Sequence, residues 1–453
     1  MRRPAVAVVG AVVLAVAIGV SVLAAVMTSG SAPRPHATTT STSSSTTSTV
    51  PPQPTWRVAW GSAMAWGYGI AANTTVRDLA TVAVGGSAVK VRISNAFGNA
   101  PLAVGAATVA VSAGGAAIVP GTLQALTFGG SPTVTVPQGQ LLYSDPVQLA
   151  VTPLQTLAIS IFVTTPELVT VHPCCSQTES FFAPNNAGDL VTSPDGAELK
   201  TASPWGRWAD AVDVLQQGGS GSIVVVGDSI TDGFNATTRW SDVLQRRIDS
   251  LPASEQEAVV NEGISANALT SDVRTDAAVG GGPSGLDRLQ RDALGQTGIA
   301  EVVLFLGTND LWFGTTAVQL IQGYQQAITA VHQAGLKIIG VTLLPRGPTA
   351  KEPWTAPQQA ALEQVDSWIR TSHSFDGVLD LAPVVANVFN GTCQPTELFP
   401  PFDSGDHLHP NAAGQTALGN AISGPSLGLP PLPTVAPLVP VHPTSACRAT
   451  VAP

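Results

Sequence analysis

The chain has 453 residues, of which 11% are charged, and its formal net charge is −10. A chain of this length is too long for one ordinary hydrophobic core, so two domains with additional terminal segments are expected. The negative charge and the lack of a basic patch argue against nucleic acid as a partner.

The amino terminus has the features of a translocation signal. Arg2 and Arg3 precede an uncharged apolar run over residues 5–27. This run exceeds the about 7–15 apolar residues of a cleavable signal and approaches the about 20 that span a bilayer. Residues 1–32 are therefore predicted to be a signal peptide or an N-terminal membrane anchor. The anchor is favoured because Pro33 follows the Gly-Ser-Ala tripeptide that a peptidase would cut, and under both alternatives the rest of the chain is exported.

Two regions of different composition follow. Residues 33–55 are rich in Ser, Thr and Pro and are predicted to form an extended linker. Over residues 56–217, short runs with β-branched residues alternate with glycine and proline, and VKVRIS at 89–94 and TVTV at 133–136 have the period-two alternation of strands. This region is predicted to be an all-β sandwich domain, comparable to a jelly roll. The glycine-rich QQGGSGS at 216–222 marks its end.

Residues 219–423 have a different pattern, in which short buried runs alternate with longer amphipathic stretches. The runs SIVVVGDS, AVVNEGIS, EVVLFLGTND, LKIIGVTLLP and DGVLDLAP are predicted to be strands. The stretches TTRWSDVLQRRIDSL, SGLDRLQRDALGQ, TAVQLIQGYQQAITAVHQAG and TAPQQAALEQVDSWIRTSH are predicted to be helices. This alternation predicts a parallel sheet with helices on both faces and a functional site at the carboxyl ends of its strands. Residues 424–453 are predicted to be an irregular, Pro-rich tail.

Three candidate functional residues follow the first three of these strands. Ser229 in GDSITDG lies at a strand-to-helix turn, where a helix N-terminus favours developing negative charge; the alternative is that it only caps the helix. Gly263 allows close approach of the backbone to a ligand, unless it is an ordinary turn glycine. Asn309 in GTND can direct its side-chain amide at an oxyanion, or it can simply form a turn.

Asp406 and His409 stand three residues apart in DSGDHLHPN, beyond the last predicted strand. This spacing lets the carboxylate contact the imidazole and hold the tautomer that a general base needs. His407 is the competing histidine. Because it is two residues from His409 and adjacent to Asp406, it is expected to point elsewhere and is interpreted as a surface histidine.

Together these four segments resemble the blocks of the SGNH hydrolases, also called GDSL-like lipases and acylhydrolases, in the order that this family has. The resemblance implies a flavodoxin-like three-layer hydrolase domain over residues 219–423, and the region before it resembles the β-sandwich of some bacterial esterases. The implied site consists of the catalytic Ser229, His409 and Asp406 and the oxyanion-hole donors Ser229, Gly263 and Asn309. No cofactor and no metal are implied. One departure is Ala266, which fills a place where family members often have glycine.

The resemblance implies hydrolysis of carboxylic esters through an acyl-enzyme. The expected export and the β-sandwich favour short-chain O-acyl groups on extracellular or envelope glycans, and Trp312 and Phe313 are candidates to contact a sugar or an acyl chain. Two alternatives stay open, namely a lipid-directed lysophospholipase or lipase and a non-catalytic envelope glycan-binding protein. A phosphate-binding loop is excluded because GDSITDG lacks the Gly-Lys-Ser/Thr ending. The expected partner is thus a small ester or an acylated glycan or lipid.

The sequence has four cysteines, Cys174, Cys175, Cys393 and Cys447, whose spacing matches no common zinc site. In an oxidising compartment a bridge between Cys393 and Cys447 is expected, because it would hold the tail and stabilise the fold by about 4 kcal/mol. The vicinal pair can bond only through a strained ring.

Overall fold

The computed structural model describes residues 53–173, 179–274, 280–346, 354–388 and 394–433. All of them belong to one compact unit, Pro52–Pro453. The predicted signal or anchor, nearly all of the predicted linker and the four cysteines lie outside the described residues, so those predictions remain open. Within the described ranges, no helix combines the length and apolar character needed to cross a membrane.

All regular elements described in the first part of the unit are strands, as predicted, and this part is called the β-rich region below. Its strands are β1 (Thr55–Gly61), β2 (Trp66–Ala71), β3 (Thr74–Thr81), β4 (Val89–Ser94), β5 (Leu102–Gly114), β6 (Ala117–Ile118), β7 (Gln124–Ala125), β8 (Val134–Val136), β9 (Leu141–Tyr143), β10 (Thr156–Val163), β11 (Glu167–His172), β12 (Ser180–Phe182), β13 (Thr201–Ser203), β14 (Gly206–Arg207) and β15 (Ala209–Gln216).

The strands of the β-rich region pair antiparallel and form three sheets. One sheet has the order β1-β15-β4-β9, and a second has the path β13-β12-β3-β10-β5-β6 with β7 and β8 also paired to β5. The third has the order β14-β11-β2. Apolar side chains such as Val91, Ile93, Val109, Ile159 and Val212 are fully buried between them. The predicted strand VKVRIS corresponds to β4, and β8 covers the last three residues of the predicted TVTV.

The alternation in β4 does not give a strand with one exposed face. Arg92 is 3% exposed and donates a hydrogen bond to Asp210 over 2.8 Å, and Lys90 pairs with Asp213 at 3.1 Å. The polar face is buried because this sheet packs against the second part of the unit. A side chain at Gly61 of β1 would collide with the Glu262 carboxylate, so the glycine is required for the close approach.

The second part, called the hydrolase region below after the family that its sequence resembles, alternates strands and helices as predicted. Its strands are β16 (Ser222–Gly227), β17 (Ala258–Gly263), β18 (Val273–Arg274), β19 (Gly281–Gly282), β20 (Ile299–Phe305), β21 (Lys337–Val341), β22 (Gly377–Leu379), β23 (Ala386–Asn387) and β24 (Gln394–Leu398). Its α-helices are α1 (Ser229–Asp232), α2 (Trp240–Ile248), α3 (Gly285–Leu289), α4 (Thr308–Trp312), α5 (Ala317–Gln333), α6 (Ala356–Thr371), α7 (Ala382–Val385) and α8 (Ala412–Ala421). Helix α3 continues as a π-helical turn at Gln290–Leu294, and 3₁₀ turns lie at Ala253–Glu255, Pro400–Phe402 and Gly424–Leu427.

The central sheet of the hydrolase region is parallel and has the order β17-β16-β20-β21-β22, which is the predicted flavodoxin-like order. Every residue of β16 is buried, and its side chains alternate between two apolar clusters: Ile223 and Val225 pack on one face, Val224 and Val226 on the other. Helices therefore cover both faces and produce three layers. Part of the predicted tail packs as well, since Leu427 and other leucines of residues 424–433 are buried against this core.

Candidate active site

Ser229 is the first residue of α1, directly beyond the carboxyl end of β16. Asp228 caps this helix by accepting a hydrogen bond from the Ile230 N–H over 3.0 Å, and burial raises the pKa of Asp228 to about 7. The Ser229 hydroxyl lies 2.8 Å from His409 Nε2 and is only partly accessible, since the residue is 7% exposed. The Ser229 N–H donates no hydrogen bond to another described residue. The turn thus presents both a hydroxyl and an amide at the sheet edge.

His409 and Asp406 lie on the loop between the Pro400–Phe402 turn and α8. His409 Nδ1 is 2.7 Å from Asp406 Oδ2. Because the carboxylate accepts the Nδ1 proton, Nε2 faces the Ser229 hydroxyl with its lone pair. The ring of Phe234 packs on the imidazole, with the ring centroids 4.7 Å apart. Serine, imidazole and carboxylate thus form one continuous hydrogen-bonded chain.

Asp406 is held by more than the imidazole. Its Oδ1 accepts hydrogen bonds from the N–H groups of Leu408 and His409, and its Oδ2 accepts one from Asn235 Nδ2 over 3.1 Å. Partial burial raises the pKa of Asp406, but the hydrogen bond and charge of His409 and these backbone donors lower it more, so the pKa lies well below its usual value. The carboxylate therefore stays ionised beside the imidazole.

His407 lies at the surface, as interpreted from the sequence. Its side chain is 48% exposed, and Nδ1 lies 2.5 Å from Asp403 Oδ2. The two neighbouring histidines thus face different aspartates, and only His409 contacts Ser229.

Asn309 and Asp310 lie in the first turn of α4, beyond the carboxyl end of β20. Asn309 Nδ2 donates one hydrogen bond, to the Asn267 carbonyl over 2.9 Å, so its second N–H can serve a ligand. Asp310 accepts hydrogen bonds from the N–H groups of Leu269 and Thr270 over 2.7 and 2.8 Å. Both residues therefore tie α4 to the loop that follows β17.

Gly263, predicted to be an oxyanion donor, has its N–H engaged within the protein. Its N–H already donates to Asn261 Oδ1 over 3.0 Å and is buried. A side chain at Gly263 would collide with the backbone nitrogen of Asp232, so the glycine serves close packing of α1 against β17. Sequence reasoning cannot tell which way an N–H points along a strand end.

An N–H that can donate to an oxyanion lies three residues later, at Ala266. Ala266 has a φ of 61°, the left-handed conformation that favours glycine, and its N–H donates no hydrogen bond to another described residue. The sequence signal for this position was the alanine that stands where family members often have glycine. Its backbone adopts a conformation that glycine tolerates without strain.

Arg288 is a structural residue of the site that the sequence did not reveal. Its guanidinium is buried and donates to Asn267 Oδ1 over 2.9 Å, to the Glu262 carbonyl over 2.8 Å and to the Gly227 carbonyl over 2.9 Å. It thereby joins the carboxyl ends of β16 and β17 to the loop with Ala266. In the sequence it is an ordinary basic residue of an amphipathic stretch. For metals, no cluster of three or more His, Cys, Asp or Glu in the described ranges is placed to hold an ion.

Comparisons with known proteins address the hydrolase region. Residues 225–417 match the model of the GDSL-like lipase/acylhydrolase family. Similar solved structures include the acetylxylan esterase Axe2 from Geobacillus stearothermophilus, with 17% identity, 45% of this chain and 93% of that chain covered, and a TM-score of 0.34. A putative lipolytic protein of the G-D-S-L family from Desulfitobacterium hafniense DCB-2 has 19% identity, coverages of 44% and 96%, and a TM-score of 0.33. No curated protein matches the chain. The chain thus carries a GDSL-like lipase/acylhydrolase domain at residues 225–417 and is a serine ester hydrolase.

Proposed function

We propose that this protein is an exported esterase that removes short-chain O-acyl groups from extracellular or cell-envelope glycans through an acyl-enzyme on Ser229. The observation that carries the mechanism is the hydrogen-bonded chain from Ser229 Oγ to His409 Nε2, at 2.8 Å, and from His409 Nδ1 to Asp406 Oδ2, at 2.7 Å. A hydroxyl needs an adjacent base to act as a nucleophile near neutral pH, and His409 is that base in this hydrogen-bonded arrangement.

In the first half-reaction, Ser229 Oγ attacks the carbonyl carbon of the ester while its proton moves to His409 Nε2. The Asp406 carboxylate stabilises the imidazolium that forms. The imidazolium then donates the proton to the departing alkoxide, which leaves as an alcohol, and the acyl group stays on Oγ. In the second half-reaction, His409 takes a proton from water and the hydroxide attacks the acyl carbon. The bond from this carbon to Ser229 Oγ then breaks, the carboxylic acid leaves, and His409 returns the proton to Oγ.

Three donors are proposed for the oxyanion that develops in each half-reaction. They are the N–H of Ser229, the N–H of Ala266 and the second N–H of the Asn309 amide. The first two donate to no other described residue, and the third belongs to an amide fixed by its bond to Asn267. Donors that are oriented before the reaction stabilise the charge without a reorganisation cost.

The glycan part of the proposal is supported by aromatic side chains on the β-rich region. Tyr68 is 52% exposed and packs edge to face on Trp205, with ring centroids 4.9 Å apart. The same strand, β2, carries Trp66, whose ring lies beside Gly281 in the hydrolase region. Rings of this kind offer apolar faces with a polar edge, which suits the mixed surface of a sugar. Export, the other support, rests on the apolar amino-terminal segment.

A lipid ester is the second candidate substrate, because an apolar groove begins near the site. It has a volume of about 570 Å³ and is lined by Leu311, Val318, Pro357 and Ala361 among others. Leu311 is two residues beyond Asn309. A longer acyl chain that entered this groove would favour a lysophospholipase or lipase.

Chain-length profiling separates the two substrates. We expect hydrolysis of p-nitrophenyl acetate and butyrate with a steep fall in kcat/KM towards octanoate and decanoate, and release of acetate from acetylated polysaccharide. Ser229→Ala is the matched control for background hydrolysis. An optimum at decanoate would favour the lipid substrate. Absence of turnover on every ester, with no labelling by a fluorophosphonate, would favour the non-catalytic glycan-binding alternative.

A further inference from the structure

One buried histidine of the β-rich region contacts the helix that begins at Ser229. His172, the last residue of β11, is 1% exposed. Its Nδ1 lies 2.6 Å from the Ala63 carbonyl oxygen within the same region, and its Nε2 lies 3.3 Å from Asp232 Oδ1. Asp232 ends α1, three residues after Ser229, and is also 1% exposed. A contact between regions thus lies next to the proposed nucleophile.

The second oxygen of Asp232 holds the loop that follows β17. Asp232 Oδ2 accepts hydrogen bonds from the Ser265 N–H over 3.1 Å and from the Ser265 hydroxyl over 2.6 Å. Ser265 directly precedes Ala266, whose N–H is a proposed oxyanion donor. Ile264, on the other side of Ser265, packs with Ala63 and Ala65 of the β-rich region.

Ala266 needs such support because of its backbone conformation. A left-handed conformation costs a residue with a Cβ about 1–2 kcal/mol. The loop keeps it because both flanks are fixed: Asp232 binds Ser265 before it, and Asp310 binds Leu269 and Thr270 after it. Loss of either carboxylate contact would let the loop relax and turn the Ala266 N–H away.

The hydrogen bonds of His172 require protons at specific ring nitrogens, and this explains how His172 orients Asp232. A carbonyl oxygen only accepts, so His172 Nδ1 carries a proton towards Ala63. The contact between Nε2 and Asp232 Oδ1 therefore needs a second proton between the two atoms. With that proton in place, one carboxylate oxygen is bound to the β-rich region and the other is aimed at Ser265.

We infer that His172 is a positioning residue of the esterase site, which acts through Asp232 and Ser265 to hold the Ala266 amide in the oxyanion hole. The β-rich region then supplies a residue on which the geometry of the active site depends. The inference rests on the proposed function, because it assigns a role within that reaction.

Two substitutions separate positioning from simple packing. In His172→Gln the side-chain amide can reach the place of Nε2 and keep a donor for Asp232, whereas in His172→Asn it can reach only the place of Nδ1 and keeps the contact to Ala63. We expect His172→Asn to lower kcat by about 10-fold to 100-fold with little change in KM, since small misplacements of catalytic groups cost this much. His172→Gln should retain most of the wild-type kcat.

His332→Asn is the matched control. His332 also pairs with an aspartate, Asp376, at 2.9 Å, but this pair is on the exposed surface of the hydrolase region. We expect wild-type kcat for this variant. A normal kcat in His172→Asn would overturn the inference, and so would equal losses in the Asn and Gln variants that follow a common fall in Tm.

A readout without substrate distinguishes this inference from the proposed function. Hydrogen exchange of the peptide that contains residues 264–270 should be faster in His172→Asn than in wild type, and near wild type in His172→Gln. If the wild type has no Ser229-dependent turnover but this exchange pattern is found, the esterase proposal fails and the positioning contact stands. If turnover is normal and exchange of the loop is unchanged in both variants, the positioning inference fails and the esterase proposal stands.

Discussion

Asp406 and Glu301, which lie at opposite edges of the parallel sheet, have pKa values shifted in opposite directions. At the carboxyl edge, Asp406 receives hydrogen bonds from His409, Asn235 and two backbone N–H groups, and its pKa is low. At the amino edge, burial and the nearby Glu257 raise the pKa of Glu301 to about 8, and Glu301 Oε1 has no hydrogen-bond partner among the described residues. The difference follows from local hydrogen bonding, because the loop with His409 supplies donors to Asp406 and no described residue donates to Glu301 Oε1. We therefore expect substitutions at one edge to affect turnover and substitutions at the other to affect stability.

The largest effect is expected from the base. His409→Ala removes the group that accepts the proton of the Ser229 hydroxyl, and kcat should fall by about 10⁴-fold or more. His407→Ala is the matched control on the same loop, since it faces Asp403 instead, and it should retain wild-type kcat. Steady-state kinetics with p-nitrophenyl acetate measures both. Comparable losses in the two variants would mean that the loop as a whole, and not His409, supports turnover.

The next effect concerns the proposed oxyanion hole. Asn309→Ala should lower kcat by about 10²–10³-fold with little change in KM, because the charge appears only in the transition state. Circular dichroism should show a folded variant, since Asp310 still holds the loop after β17. Near-normal kcat in a folded Asn309→Ala protein would remove this amide from the oxyanion hole.

At the amino edge, Glu301→Gln should change stability and leave kcat unaltered. The pKa of Glu301 is raised from 4.5 in the unfolded chain to about 8 in the folded protein, so the folded state binds the proton more tightly. The stabilisation that protonated Glu301 contributes is complete below pH 4.5 and is lost as the pH rises through about 8. The free energy of unfolding of the variant should therefore increase, relative to that of wild type, by on the order of 1 kcal/mol per pH unit between about pH 5 and pH 8. Urea unfolding at several pH values measures this, and a pH-independent difference would contradict it.

The smallest effect is expected at the strained alanine of the carboxyl edge. Ala266→Gly places in the left-handed conformation the residue that adopts it without strain, so the unfolding free energy should rise by up to about 1 kcal/mol. The N–H is retained, and kcat should stay within a few-fold of wild type. A stability loss in chemical denaturation would show that the alanine methyl group contributes packing that outweighs the strain.

Much of the fold was predictable because local patterns determine it. The five parallel strands are short apolar runs buried on both faces, and the helices between them have a clear apolar spacing. Ser229, Asn309, Asp406 and His409 were found because each lies in a short segment directly beyond a strand or on one loop. The polar face of β4 was not predicted to be buried, since its cover comes from a distant part of the chain.

The remaining features of the site depend on tertiary contacts that no local pattern encodes. Gly263 and Ala266 are three residues apart, and only the backbone directions show which N–H is available. His172 contacts Asp232 although the two residues are 60 positions apart in the sequence, and Arg288 joins two strand ends from a separate helix. Such residues become recognisable only when the chain is folded.

The most direct test of the central claim is the identity of the residue that forms a covalent adduct with a fluorophosphonate. Peptide mapping by mass spectrometry should find one adduct per chain, on the peptide that contains Ser229. The adduct should be absent in Ser229→Ala and should form much more slowly in His409→Ala, because the same base and the same amides act on the phosphorus centre. An adduct on another residue, or a wild-type protein that hydrolyses esters without any adduct at Ser229, would contradict the proposed acyl-enzyme mechanism.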